Sequence, residues 1–521
     1  MRRFNVTGLC VPEEDYMVDI SGKIKQIKEL VDSRCYFTIN RARQYGKTTT
    51  LNELCKSLAG EYTVISLSFQ GMGEECFSSS ALFCQSFMGQ VVRALGFTDV
   101  SKEYSEAWND SGVTGIHLLS QHISKMCENK KIVLIVDEVD RTSNNRVFLH
   151  FLDMLREKFL ARKAGKDYTF HSVILAGVYD IKNIKLKMIN EGAHKPGAQE
   201  SGIYNSPWNI AADFDVDMSF SPAEIATMLK EYEKDHNSGM NVASLSEEIY
   251  SYTSGYPFLV SRICQSIDEK HGRNWTSSGV QQAVKLLLTE SNTLFDDIFK
   301  NLENNNELSA LIYDLLILRS PRLFVIYDSV VSIGVLYGFL KSVDSMIAIA
   351  NKIFELLMVD YYISKDLRHE RQVTGVLQRE LVSKGGFDME LCLRKFAEHY
   401  EDIFSDTDSK FLERHGRLLF LSYLKPLING QGFYHIESQL IDLRRMDIVV
   451  DFGTQQFIIE LKLWNGKVKQ KEAYSQLCAY LESKRCGTGY LLTFDFRKEG
   501  NKVRKAEWIT LGNKRIFDVM L

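Results

Sequence analysis

Residues 132–136 read I-V-L-I-V and run into an acidic pair, Asp137-Glu138. An apolar run with no polar break cannot turn one face to water. It predicts a strand buried on both sides, as in a parallel sheet covered by helices. Tyr36–Asn40 (Y-F-T-I-N) and Ser172–Ala176 (S-V-I-L-A) fit the same sheet, and Glu61–Phe69 alternates as a further strand. Helical periodicity over Lys47–Leu58, Phe77–Leu95 and Val147–Leu160 places helices between them. Strands alternating with helices predict βαβ units and an α/β fold.

At 521 residues the chain exceeds one compact core, and about three domains are expected. A net charge of -4 excludes a globally basic nucleic-acid binder, so any such contact must come from local patches. The cysteines form no C-x-x-C pair, which argues against structural zinc and a disulfide framework. No apolar segment follows the basic N-terminus, and no run is long enough to span a membrane; a cytoplasmic protein is expected. From Pro222 the pattern turns helical, over 223–234, 245–254, 257–269 and 278–290. Asp360–Ser364 (D-Y-Y-I-S) suits one strand of a winged-helix wing, and the chain becomes α/β again near its end.

Between the first strand and the first helix stands Arg41-Ala42-Arg43-Gln44-Tyr45-Gly46-Lys47-Thr48. A turn at a helix N-terminus exposes backbone N–H groups where the helix dipole favours an anion. Gly46 permits close approach, Lys47 would reach β- and γ-phosphates, and Thr48 would place its hydroxyl on Mg²⁺. Arg43, Gln44, Tyr45 and Thr49 complete the expected nucleotide-binding stretch. Asp137, at the end of the buried strand, would hold the Mg²⁺ shell, and Glu138 would position or deprotonate the attacking water. Open parallel sheets bind ligands at this edge. No guanine-reading N-K-x-D motif follows, which favours ATP. Asp180 suits a γ-phosphate sensor or a plain strand cap; Arg262 suits a lid arginine or a surface residue. Arg141 and Arg43 are weak arginine-finger candidates.

Residues 446–464 read M-D-I-V-V-D-F-G-T-Q-Q-F-I-I-E-L-K-L-W. Two apolar runs flank Gly453-Thr454 as in a hairpin, which brings Asp447 towards Glu460 and Lys462. Glu460 and Lys462 share one face because strand side chains alternate. Charges in an apolar strand need partners or a metal, and paired carboxylates suit Mg²⁺ or Mn²⁺. Lys462 would orient or activate a metal-bound water. E-x-K alone equally describes a solvated pair at a strand edge. Gln476 and Tyr480 share one face of a following helix, and Arg444, Arg445, Lys467, Lys469 and Lys471 add local positive charge for phosphate contact or a solvated face.

Together these motifs resemble a bacterial and archaeal AAA-ATPase-like family that carries a C-terminal PD-(D/E)XK nuclease domain. The first is similar to that family's R-P-R-x-F-G-K-[ST] loop, with Ala42 for proline and Tyr45 for phenylalanine. Asp137–Asp140, Ile174–Asp180 and Pro207–Ala211 also look like it. Gly416-Arg417, Arg445–Val449, Ile459–Trp464, Gln476-Leu477 with Tyr480, and Gly489–Leu491 resemble the nuclease domain, and Glu413 resembles the acidic residue of its first helix. The resemblance implies an ATPase core at 1–222, a helical lid at 223–303, a winged-helix-like segment with linker helices at 304–395, and the nuclease-like domain at 396–521. It implies Asp447 and Glu460 as metal ligands, and Glu138, Lys462 and Gln476 as further catalytic residues. ATP and Mg²⁺, with Mn²⁺ an option at the second site, are the implied cofactors. Nucleic acid, DNA ahead of RNA, is the implied partner, with no membrane; assembly with further copies is left open. Three readings follow: an ATP-dependent nuclease, an ATP-driven switch whose nuclease-like domain binds without cutting, or an inactive scaffold with no measurable ATP affinity.

Overall fold

The computed structural model describes residues 2–139, 146–177, 208–317, 320–367, 381–383, 386–403, 409–428, 432–435, 448–464, 466–495 and 504–521. They form two compact units, one of residues 1–298 with 326–340, the other of 299–325 with 341–521.

The first unit is built on helix α1 (Ser21–Asp32), strand β1 (Tyr36–Asn40), α2 (Lys47–Leu58), β2 (Thr63–Ser68), α3 (Ser80–Leu95), α4 (Ile116–Cys127), β3 (Ile132–Asp137), α5 (Arg146–Lys163) and β4 (Ser172–Gly177). The four strands are parallel in the order β1-β4-β3-β2. Ala212 extends the sheet beyond β1 through a parallel bridge to Phe37. Both faces are covered, and alternate residues of each strand divide between them. Ile132, Leu134, Val136, Val173 and Leu175 join the core under α3, α4 and α5; Val133, Ile135, Ile174 and Ala176 join the core under α1 and α2. That division is why I-V-L-I-V carries no polar residue: neither face reaches water.

A helical set follows: α6 (Pro222–His236), α7 (Val242–Thr253), α8 (Pro257–Lys270), α9 (Ser277–Thr289) and α10 (Thr293–Asn304). The start of α6 is a capping box, with the Ser221 hydroxyl and Glu224 carboxylate each accepting from the other's backbone N–H and Pro222 in the first turn. Helix α11 (Asn306–Leu316) lies in the second unit, and α12 (Ser329–Leu336) in the first.

A short hairpin of β5 (Leu340–Val343) and β6 (Met346–Ile349) turns through Asp344 and Ser345, both at positive φ, the turn geometry that matches strand twist. Helix α13 (Lys352–Leu367) follows, and it corrects the expectation for Asp360–Ser364, which is helical rather than a wing strand. The Asn351 side chain caps its start by accepting from Phe354 N (2.9 Å). Ile353, Phe354, Leu357, Met358 and Tyr362 are buried at helical spacing. D-Y-Y-I-S is the tail of that longer pattern, which length arbitrates in favour of helix.

The second unit continues with α14 (Met389–Ile403), α15 (Ser409–Ile428), β7 (Gly432–His435), β8 (Ile448–Phe452), β9 (Gln455–Leu463), α16 (Lys467–Ser483), β10 (Thr488–Phe494), β11 (Lys505–Leu511) and β12 (Lys514–Met520). The six strands form a mixed sheet in the order β11-β12-β10-β9-β8-β7. Strands β8 and β9 are the hairpin expected at Gly453-Thr454, with Gly453 at φ +59 and Ile448 opposite Ile459. From β9 the chain crosses through α16 to the parallel strand β10. Helix α16 buries Ala473, Leu477 and Leu481 on Val449, Ile458, Leu491 and Ile516. Gly489 permits this approach: a Cβ there would stand 2.8 Å from Leu481 Cδ1.

Candidate functional site

The loop between β1 and α2 lies at the C-terminal edge of the parallel sheet. Gln44 (φ +56) and Gly46 (φ +76) take left-handed backbone, curling the chain tightly before α2 begins. Left-handed geometry is costless at Gly46 and strained at Gln44. No side chain caps the start of α2, so its first N–H groups are not claimed by a cap. Lys47 is buried and folds its ammonium back onto the loop, donating to Arg41 O (2.8 Å) and Ala42 O (2.9 Å).

Arg41 stands where a common P-loop has glycine, and its guanidinium has a structural task. It donates to Asn40 O and to Val216 O, both at 2.8 Å, and lies over the Phe214 ring. Farther along, Arg43 pairs with Asp297 (2.8 Å) and Gln44 Nε2 donates to Thr293 Oγ1 (3.1 Å), both on α10. The Tyr256 hydroxyl donates to Arg43 O, and Tyr45 packs edge-on against the Tyr256 ring. Thr49 Oγ1 accepts from Cys10 N (3.3 Å), tying in the N-terminal segment.

β4 separates β1 from β3, so the loop strand and the acidic strand stand two strand spacings apart, about 10 Å. Helix α2 spans that gap: Thr48 Oγ1 donates to Asp137 Oδ2 at 3.2 Å. The other carboxylate oxygen accepts from Glu138 N (2.9 Å). Glu138 has φ +57, a conformation a glutamate adopts at a cost. Hydroxyl and carboxylate are the hard oxygen donors that Mg²⁺ takes. Beside the loop lies a cavity of about 300 Å³, walled by Tyr45, Gly46 and Thr49 and, from elsewhere in this unit, by Val6, Val18 and Pro257. The sequence reading missed these last walls. They follow no periodicity, and only the folded chain brings them to the loop. Arg262 is engaged, its Nε donating to Glu290 (3.1 Å). Asp140, Arg141, Asp180 and Pro207 lie outside the described residues.

In the second unit Glu460 is fully buried on β9, and the Lys462 ammonium, one third exposed, sits 2.7 Å from its Oε1. Lys462 and Gln476 line one cavity of about 350 Å³ between the ends of β9 and β10 and helix α16. Tyr480 packs against the apolar cluster under α16. Asp447, Arg444 and Arg445 lie outside the described residues, as do the side chains of Glu413, Arg417 and Lys467. Among the described residues no three His, Cys, Asp or Glu side chains gather to hold a metal.

A further buried carboxylate was overlooked. Asp518 on β12 is fully buried and accepts from Gln470 Nε2 (3.3 Å) and the Tyr474 hydroxyl, with the Lys505 ammonium paired to it. Burial and then the hydrogen bond to Asp518 push the Tyr474 phenol up to about 12. The signal that singled out Glu460, a carboxylate in an otherwise apolar run, was present in I-F-D-V-M as well.

A parallel sheet with a G-K-T loop at its C-terminal edge, bridged from Thr48 to an aspartate two strands away, defines a P-loop-type nucleotide-binding unit. Residues 15–316 match the family model described as AAA-like domain, and the chain belongs to that family. Comparison with curated proteins yields no match. Among solved structures the chain is similar to a Walker-type ATPase of Pyrococcus abyssi, at 12% identity over 68% of this chain and 99% of that one, with a TM-score of 0.46. It is also similar to the ORC2 protein of Aeropyrum pernix in ADPNP–ADP complexes, at 13% identity over 70% and 98%, with a TM-score of 0.35. The six-stranded sheet lies beyond the residues matched by the family model. No described helix is long and apolar enough to cross a membrane.

Proposed function

We propose that this chain binds and hydrolyses ATP at 41–49 with Asp137 and Glu138, and that its last 126 or so residues, 396–521, form a metal-dependent nuclease domain acting on DNA. The remaining divisions are a core at 1–222, a lid at 223–303 and a winged-helix-like segment with linker helices at 304–395. The observation that carries the ATP reading is the 3.2 Å bridge from Thr48 to Asp137 across the end of the intervening strand. A hydroxyl and a carboxylate in contact support the reading that Thr48 and Asp137 would hold Mg²⁺, whose role would be to neutralise β- and γ-phosphate oxygens. Lys47 would exchange its bonds to the Arg41 and Ala42 carbonyls for phosphate oxygens. The left-handed backbone at Glu138 costs roughly 1–2 kcal/mol, which supports a role at the reacting water. The cavity of about 300 Å³ beside Gly46 suits an adenine.

The nuclease reading rests on the buried Glu460 paired with Lys462 towards one end of β9, on Gln476 lining the cavity that Lys462 also lines, and on Asp447 immediately preceding β8 in sequence. Asp447 and Glu460 would hold Mg²⁺ or Mn²⁺, whose role would be to acidify a water; Lys462 would orient that water. The test is ATP hydrolysis and DNA cleavage by the full chain beside Lys47→Ala and Glu460→Ala. Lys47→Ala should lose nucleotide binding, and Glu460→Ala should lose cleavage while hydrolysing ATP normally. Metal-independent DNA binding with no cleavage under Mg²⁺ or Mn²⁺ would favour the ATP-driven switch instead.

A further inference from the structure

Thr493 sits on β10 directly opposite Lys462 of β9 in the strand register. Its side chain is 3% exposed, and among the described residues its Oγ1 makes no hydrogen bond. A buried hydroxyl without a partner is costly and is seldom left so. Thr493 lines the cavity of about 350 Å³ that Lys462 and Gln476 also line, so a molecule entering there would supply the missing partner. The other walls define its chemistry. Lys462 and Lys469 bring ammonium groups, Gln470 and Gln476 bring amides, and Trp464 brings an aromatic ring. Among the described lining residues Glu472 is the one carboxylate; it pairs with Lys469 (2.9 Å) as Lys462 pairs with buried Glu460 (2.7 Å), and since each ammonium has three N–H donors, donors are left over after both pairings. A donor-rich cavity with one aromatic surface fits an anion joined to a flat ring.

We propose that Thr493 donates to a phosphate oxygen of a single nucleic-acid strand, with the base of that nucleotide stacked on Trp464. The inference rests on the nuclease reading for its choice of nucleic acid, and it adds the residue and the strandedness. A volume of about 350 Å³ lies near the lower end of small-molecule sites, roughly 300–1,000 Å³, and admits one nucleotide rather than a paired step. Single strands are held in this manner, by cationic contact with the backbone and stacking on aromatic rings.

The test uses the full chain in EDTA, so that nothing is cut, with a short fluorescein-labelled single-stranded oligodeoxynucleotide read by anisotropy. Thr493→Val should weaken binding about tenfold while the protein melts no lower, because the hydroxyl removed had no partner. Thr493→Ser should restore most of the affinity, and Trp464→Ala should cost about tenfold or more. Unchanged affinity in folded Thr493→Val, equal or tighter binding of the matching duplex, or no binding by wild type would each overturn the proposal. Thr493-dependent binding with no cleavage once metal is restored would keep it and remove the nuclease reading. Cleavage whose KM ignores Thr493→Val would do the reverse.

Discussion

Lys158 offers a measurement of how the central strand of the first sheet is held. It lies on α5, is 1% exposed, and donates to Ser120 O (3.0 Å), Ser124 Oγ (2.7 Å) and Asp167 Oδ2 (2.7 Å). Asp167 precedes β4, the strand that separates the phosphate loop from the acidic strand. The pair therefore staples α4 and α5 to the entrance of that strand. Lys158→Met keeps most of the stem and removes the ammonium, leaving Asp167 without its counter-charge. Breaking a buried pair from one side costs about 3–5 kcal/mol, and Asp167, one quarter exposed, places the loss near 3. Asp167→Asn alone strands the buried ammonium and should also cost about 3 kcal/mol, whereas Lys158→Met with Asp167→Asn removes both charges and should cost only about 1 kcal/mol, so the double-mutant cycle should report about 5 kcal/mol of coupling.

The pH dependence has a definite sign. Burial raises the Asp167 carboxyl, but hydrogen bonds from Lys158 and Ser124 outweigh it and hold the group below its ordinary value. A depressed carboxylate contributes stability above its unfolded value, about 3.9, and loses it as pH falls through the folded one. Lys158→Met leaves burial to dominate, so the gap between wild type and variant should be full at neutral pH and narrow below about pH 4. Urea unfolding followed by tryptophan fluorescence measures both, since Trp108 is buried in the same core. A loss under about 1 kcal/mol, or a gap that ignores pH, would refute the claim that this pair is desolvated.

Three other outcomes are expected. Arg41→Met strips the guanidinium from the Asn40 and Val216 carbonyls and should weaken ATP binding about tenfold by calorimetry; an unchanged affinity would remove Arg41 from the loop's support. Glu138→Asn should relieve the left-handed backbone, raising stability by roughly 0.5–1 kcal/mol in thermal melts, while ATP still binds and turnover is lost; normal turnover would exclude Glu138 from the chemistry. Gly489→Val drives a side chain into Leu481 and Leu477 and should lower the second unit's stability by about 1–3 kcal/mol without changing ATP affinity; a neutral result would mean that α16 gives way easily.

The first sheet was legible because burial on both faces leaves an unmistakable trace: I-V-L-I-V, Y-F-T-I-N and S-V-I-L-A are strands, with ends within a residue of those expected. The hairpin at Gly453 was legible for a related reason, since its turn residues interrupt two apolar runs. Asp360–Ser364 was misread because five residues are too few to show the period of the helix around them. The order of the strands is not written in any one of them. That β4 stands between β1 and β3, and that Thr48 must therefore reach across it, follows from pairing distant in the chain. Thr493 carried no signal at all. It is one hydroxyl in L-L-T-F, and only the cavity beside it gives it meaning.

The path of the chain through its two units has a practical result for anyone dividing the protein. Residues 299–325 belong to the second unit, but 326–340 return to the first, where Gly338 comes so close to the Ala42 side chain that a Cβ there would stand 2.8 Å from it. A fragment ended at Leu316, where the family match stops, would uncover one side of the phosphate loop even though every residue of that loop is retained. An isolated AAA-like piece should therefore be carried through Leu340, with residues 299–325 of the second unit kept in between.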